Sequence, residues 1–303
     1  MNRLTEYKSL LTDTFHVWRI REPFNASIII AYYTIFSLPG LLVIIINVAG
    51  FFYDKAEVGT QISYQIQLVL GGDVASDIES IIGNASEREE TVWSSIFGVA
   101  ILLFGATGVF TELQQMLNKI WNVKPKPKTR QKIWALITDR VFSFGLILVI
   151  GFLLLVSLVL SAGLAKLSSW VTDHLSESLT FIFYGLDALL SIGIITILFA
   201  AIFKFLPDAK VKWSGVWAGA LLTSFLFVIA KVALGFYFGH SNIGSTYGAA
   251  GSVILIILWV SYAGLILLFG AEFTHVYINK DGKKDVPTSI AFATPENSDE
   301  KFV

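Results

Sequence analysis

Six stretches of this chain run for twenty or more residues with almost nothing but apolar and small side chains: about 28 to 52, 93 to 115, 141 to 165, 181 to 205, 214 to 238 and 250 to 274. An α-helix needs about 20 such residues to cross about 30 Å of hydrocarbon. Each stretch meets that length, and the second is the least apolar because "GATGVFTELQQ" closes it. A soluble fold of 303 residues with 54% hydrophobic and 15% charged residues would lack the polar surface to cover its core. The expected fold class is therefore all-α, a polytopic membrane protein with six transmembrane helices. No cleavable signal peptide is expected, since the first run is too long and some 27 mostly polar residues precede it.

Lysine and arginine set the orientation. Eighteen of the 22 fall in the N-terminal segment, the loop after the second span, the loop after the fourth and the tail. The opposite side holds Lys55, Arg88 and Lys166, and Lys231 lies inside a span. Both termini are thus expected in the cytoplasm. The first loop, 53–92, is then extracytoplasmic and acidic, and the loop 119–140 is cytoplasmic and basic.

The expected organisation has three parts: a cytoplasmic interfacial helix over 1–27, a six-helix transmembrane domain over 28–278, and a disordered cytoplasmic tail over 279–303. In the first part Leu4, Tyr7, Leu11, Phe15 and Trp18 recur at helical spacing, with Arg3, Lys8 and Arg19 available to anionic headgroups. In the outer loop Ile62, Ile66 and Val69, then Ile78, Ile81 and Ile82, predict short amphipathic helices that cap the bundle. "KPKPK" at 124–128 is expected to break the helix leaving the second span. The tail is rich in Pro, Ser and charge and poor in apolar residues. Trp93, Trp121, Trp170 and Trp213 fall near the ends of spans, where an aromatic belt would lie.

Charged groups inside the apolar runs are costly and carry most of the functional information. Asp187 lies about 9 Å below the outer start of the fourth span, and Lys231 roughly 10 Å below the outer end of the fifth, at 1.5 Å per residue. Their matched depth predicts an ion pair, with Asn47 at a similar level, as an outer polar layer. Two readings stay open: a static pair that locks two helices, or groups that line a substrate path. Glu112, Glu272, Lys204 and Arg140 form a second expected layer at the inner end. Pro39 and Gly40 predict a kink in the first span. Gly105, Gly108, Gly244, Gly248 and Gly251 predict close helix packing or a mobile gate.

Zero Cys excludes disulfides, thiolate metal sites and cysteine nucleophiles. The four His are scattered, no P-loop or GxSxG elbow occurs, and no nucleophile and base come as a pair. Neither an enzyme, a metal nor a cofactor is expected. The basic loop residues all sit close to a span, so a membrane surface is expected as their partner and nucleic acid is not.

Four blocks carry a family resemblance: "AYYTIFSLPGLL" (31–42), "FGATGVFTELQQMLNKIWNV" (104–123), "FKFLPDAKVKW" with "GALL" (203–213, 219–222), and "YGAAGSVILIILWVSYAGLILLFGAEFTHVY" (247–277). In this order they resemble the YihY/BrkB family of bacterial inner-membrane proteins, once misnamed ribonuclease BN. The resemblance implies a six-helix architecture and recurrent positions at Tyr32, Ser37, Pro39, Glu112, Pro207, Tyr247, Gly248, Gly270 and Glu272, with no established catalytic residue. It also implies a link to serum resistance and to export of envelope lipid or lipopolysaccharide. The expected function is a transporter or translocator of a lipid or envelope component, with an anionic lipid or lipopolysaccharide-type substrate. The alternative is a non-transporting scaffold that docks a partner; the oligomeric state is left open.

Overall fold

The computed structural model describes residues 3–49, 59–60, 62–64, 66–67, 72–87, 92–125, 180–240, 250–280, 286–287 and 291–293. Its helices are α1 (Arg3–Ile20), α2 (Pro23–Ala49), α3 (Gly72–Glu87), α4 (Val92–Ile120), α5 (Thr180–Phe205), α6 (Trp213–His240) and α7 (Ala250–Lys280). Four short strands complete the described elements: β1 (Val123–Pro125), β2 (Ala209–Lys210), β3 (Val286–Pro287) and β4 (Ala291–Ala293). Five of the six apolar runs coincide with α2, α4, α5, α6 and α7. The third run, 141–165, lies outside the described residues.

Among the described residues three helical stretches are long and apolar enough to cross a membrane: Ala188–Phe205, Trp213–Phe238 and Ala250–Lys280. A shorter apolar stretch is Pro23–Leu38. The way α6 distributes its side chains shows what solvent it was built for. Trp213, Trp217, Leu221, Phe225, Ile229, Val232 and Phe236 are all exposed along one side. The other side buries Val216, Ala220, Thr223 and Ser224, together with Gly215 and Gly219. Large apolar groups point out and small ones in, the reverse of a helix on a soluble core. Leaving seven such side chains in water would forgo roughly 1.5–3 kcal/mol each, a sum comparable with the whole stability of a domain, about 5–15 kcal/mol. Lipid removes that penalty. On α2 the same pattern recurs, with Phe24, Ile28, Tyr32 and Phe36 exposed and Ala26, Ser27, Ile30, Ala31 and Ser37 buried.

By its contacts the chain divides into two compact units. One comprises His16–Met116 and Leu226–Leu268. Its core gathers Val74 and Ile78 of α3, Phe238 of α6, and Leu255 and Ile256 of α7, with Ile62 and Ile66 packed against them. Ile62, Ile66 and Ile78 of the predicted amphipathic set thus pack with α6 and α7, and the side chains of Val69, Ile81 and Ile82 lie outside the described residues. In the same unit α4 lies against α2 through two glycines. A β-carbon at Gly105 would come 2.7 Å from Ser37 Cβ, and one at Gly108 would come 2.2 Å from the Tyr33 ring. Gly264 of α7 likewise fits over Ser27.

The other unit comprises Met1–Phe15, Leu117–Phe225 and Phe269–Val303. Here α4 ends at Ile120 and Asn122 turns the chain with a positive φ of 50°, a conformation asparagine tolerates better than most residues. Asn122 therefore stops the helix before "KPKPK" begins. Trp121, expected in an aromatic belt, is instead buried, with its ring centroid 6.5 Å from that of His275. Its apolar surface is consumed by the protein interior, whereas Trp213 is exposed as expected.

Composition predicted a tail without structure, but two pieces of it form strands. β4 pairs with β1 (Val123↔Ala293, Lys124↔Phe292, Pro125↔Ala291), and β3 pairs with β2 (Ala209↔Pro287, Lys210↔Val286), both antiparallel. Main-chain groups make these ladders, so a polar composition does not forbid them.

The N-terminal helix also departs from its expected single stripe. Leu11 and Phe15 are exposed, as a membrane-facing stripe requires, but Leu10, Thr14, Val17 and Arg21 form a second, buried face. The side chains of Leu4 and Tyr7 lie outside the described residues. Glu22, with φ 53°, turns the chain out of α1. Pro23 then opens α2, where its missing N–H costs nothing.

Candidate functional site

The site is built where α6 and α7 cross. Each helix carries a glycine followed four residues later by a threonine: Gly219 and Thr223 on α6, Gly270 and Thr274 on α7. Thr223 donates to the Gly219 carbonyl at 2.6 Å, and Thr274 donates to the Gly270 carbonyl at 2.8 Å. Each threonine thereby satisfies its hydroxyl on its own helix and lies against the glycine of the other. A β-carbon at Gly219 would fall 1.7 Å from Thr274 Oγ1, and one at Gly270 would fall 1.7 Å from Thr223 Oγ1. Gly215 is covered in the same way by Ile278. Only glycine lets the two backbones approach this far.

A hydroxyl layer continues from this seam to α5. Thr196 donates to the Ile192 carbonyl at 2.7 Å and meets Ser224 at 3.0 Å, while Ser224 donates to the Ala220 carbonyl at 2.8 Å. Thr196, Thr223, Ser224 and Thr274 are all buried. On α5 the buried Phe199 and Phe203 follow Thr196 at helical spacing, and their rings stack at 6.2 Å.

Two residues from both Gly270 and Thr274, and so on the side of α7 turned away from the seam, lies Glu272, only 1% exposed. His275 Nδ1 stands 3.8 Å from Glu272 Oε1. The opposite ring nitrogen, Nε2, lies 3.0 Å from Asn279 Nδ2. With Asn279 as donor, Nε2 accepts, the imidazole proton sits on Nδ1, and it faces the carboxylate. At 3.8 Å this contact is electrostatic and too long for a hydrogen bond. Glu272, His275 and Asn279 thus form a row along α7 from a buried carboxylate to an exposed amide.

Of the other expected site residues, Lys204 donates to the Val211 carbonyl and lies 5.4 Å from the Trp213 ring centroid, which ties the end of α5 to the start of α6. Glu112 is half-buried on α4. Lys231 is half-buried and shares a face of α6 with Ser224 and Phe238, seven residues to either side and both buried. Gly105, Gly108 and Gly251 sit at packed positions. The side chains of Asn47, Asp187 and Pro39 lie outside the described residues, as do Arg140, Gly244 and Gly248, so the Asp187–Lys231 pair lies outside them too. Pro39 and Gly40 fall within α2, which is helical through both to Ala49. Among the described residues no group of His, Asp and Glu could hold a metal ion.

Composition and spacing did not single out the Asn118–Asp208 clasp. Asn118 Nδ2 donates to Asp208 Oδ2 at 2.8 Å, and the Asp208 amide donates to Asn118 Oδ1 at 2.8 Å. The pair joins the end of α4 to the α5–α6 loop and gives "LPDAK" a structural reason. The Gly219–Thr223 and Gly270–Thr274 spacing was a readable signal for the seam; nothing in the sequence pairs Asn118 with Asp208.

Helices that turn bulk outward and glycine, threonine and a carboxylate inward define a polytopic α-helical membrane protein. The chain belongs to the virulence factor BrkB family, whose pattern it matches over residues 15–290. It is 30% identical over 182 residues to a UPF0761 membrane protein of Delftia acidovorans, covering 58% of this chain and 40% of that relative. A UPF0761 membrane protein of Saccharophagus degradans is 26% identical over 248 residues, covering 81% of this chain and 54% of the relative. Another, of Tolumonas auensis, is 26% identical over 274 residues, covering 85% of this chain and 81% of the relative. The chain thus spans about half the length of the first two. No solved structure matches it.

Proposed function

We propose that this chain is a six-span inner-membrane transporter or translocator, with both termini cytoplasmic, that passes a polar or anionic group such as a lipid or lipopolysaccharide headgroup. The observation that carries the reading is Glu272, an ionisable group 1% exposed on an apolar helix long enough to span a membrane. Burying a carboxylate in such a helix is expensive, and the groups that bear this cost mark pathways by default. The buried hydroxyls of Thr196, Thr223, Ser224 and Thr274 supply weakly polar groups within the same compact unit. A headgroup would meet these groups while its acyl chains stayed against the outward bulk of α6. The reading invokes no chemical step, metal or cofactor.

One observation favours a second reading. The α6–α7 seam is packed as tightly as glycine allows, which suits a scaffold that never opens. Reconstitution separates the two. Purified protein in vesicles, assayed with a fluorescent anionic phospholipid and a small-anion reporter, is expected to move at least one of them faster than protein-free vesicles. Movement of neither would overturn the transport reading and leave the scaffold.

A further inference from the structure

The geometry points to the C-terminal tail as a strap that ties the loop ends of α4, α5 and α6 to α7, through the juxtaposition of β4 with β1 and of β3 with β2. β1 begins three residues after α4 ends, β2 lies in the seven-residue loop between α5 and α6, and both tail strands follow α7. One short piece of chain therefore reaches the exits of four helices.

The attachment is built to be reversible. The ladders hold three and two residue pairs. Each includes a proline, Pro125 in β1 and Pro287 in β3, which cannot donate to a ladder. Lys124 and Lys210 are exposed, so water can compete for the pairing. The permanent links nearby are of another kind: the Asn118–Asp208 clasp and the Lys204 contact with Val211 hold α4, α5 and α6 without the tail. Where the tail leaves α7, Lys280 Nζ donates to Ser9 Oγ at 2.7 Å and ties the end of α7 to α1. The strap adds a main-chain link between α7 and the α4 and α5–α6 ends, beside the side-chain contacts of Trp121 with His275 and of Ile278 over Gly215. Its regulatory consequence rests on the transport reading: with the strap paired, the α4 and α5–α6 ends carry an additional link to α7, and with it released only the side-chain contacts hold them. The experiment reads pairing and protection instead of transport, so either idea can fail while the other stands.

The chain has no cysteine of its own. Lys124→Cys with Phe292→Cys places two thiols at partnered positions. Antiparallel partners stand about 4.5–5.5 Å apart at Cα, within the about 4.4–6.8 Å that a disulfide spans. In full-length protein in native membranes, this pair is expected to cross-link within one chain at least about tenfold faster than Lys124→Cys with Asn297→Cys, because pairing raises the effective concentration of one register only. Equal rates would overturn the strap. Hydrogen exchange supplies the second arm. Ending the chain after Lys280 is expected to speed exchange of the amides at 123–124 and 209–210 by about tenfold or more, and Phe292→Pro in the full chain to do so at 123–124. The Asp208 amide, held by Asn118, should keep its protection and so report that the fold is intact. Unchanged exchange at 123–124 in both variants, or at 209–210 in the shortened chain, would overturn the proposal.

Discussion

Thr223 lies so close over Gly270 that a β-carbon there would stand 1.7 Å from its Oγ1, and Thr274 holds Gly219 in the same relation from the opposite helix. Gly270→Ala and Gly219→Ala should each destabilise the protein by about 1–3 kcal/mol through overpacking. Removing the opposing bulk tests the cause. Gly270→Ala with Thr223→Ala should recover part of the loss, as should Gly219→Ala with Thr274→Ala. Thermal unfolding in detergent, followed by tryptophan fluorescence, checks both pairs; no recovery in either would mean that the seam is not what the glycines serve.

Outward and inward positions on α6 should respond in opposite ways. Leu221 is 58% exposed and its neighbour Ala220 is 0% exposed. Leu221→Ala removes bulk from the outward face and should cost less than about 1 kcal/mol, whereas Ala220→Leu forces bulk into a packed interface and should cost about 1–3 kcal/mol or more. The same unfolding measurement ranks them, and a larger loss for Leu221→Ala would reverse the assignment of faces.

The clasp between Asn118 and Asp208 joins two segments 90 residues apart in sequence by two hydrogen bonds. Asp208→Ala breaks the bond from Asn118 Nδ2 and should cost about 1–3 kcal/mol. Asp208→Asn keeps a carbonyl oxygen to accept that bond and should cost less. Equal losses in the two variants, measured by thermal unfolding, would show that the hydrogen bonds are not what the position contributes.

Orientation is directly measurable because no native cysteine interferes. Single cysteines at Lys8 and Lys210 are expected to react with a membrane-impermeant maleimide only in inside-out vesicles, and one at Ser76 only in right-side-out vesicles. All three positions are exposed. Labelling from one side at both Lys8 and Ser76 would contradict the orientation drawn from lysine and arginine.

The spans in α5, α6 and α7 were readable because crossing hydrocarbon demands one property, a long run with very little charge, and Ala188–Phe205, Trp213–Phe238 and Ala250–Lys280 each display it. The inner surfaces were much less readable. A helix that is apolar on every side offers no periodic contrast, so the face α6 turns to α7 shows only in the size of its residues, at Gly215, Gly219 and Thr223. Trp121 followed its position near a helix end into a belt assignment, although its contact with His275 is a tertiary fact. The tail strands escaped notice because backbone pairing leaves little trace in side chains. Glu272 was visible as a charge at the end of a run; its near-complete burial and the row it forms with His275 and Asn279 required the helices to be assembled.

The central claim is that the buried carboxylate of Glu272 serves passage and not only packing. The most direct test compares wild-type protein with Glu272→Gln in the same vesicles, after unfolding measurements have shown that the variant is folded. The side chain keeps its size and loses its charge. Passage of the anionic lipid or small-anion reporter is expected to change by at least about tenfold, the scale of a lost charge-dependent interaction. Transport at the wild-type rate by a folded Glu272→Gln protein would contradict the claim.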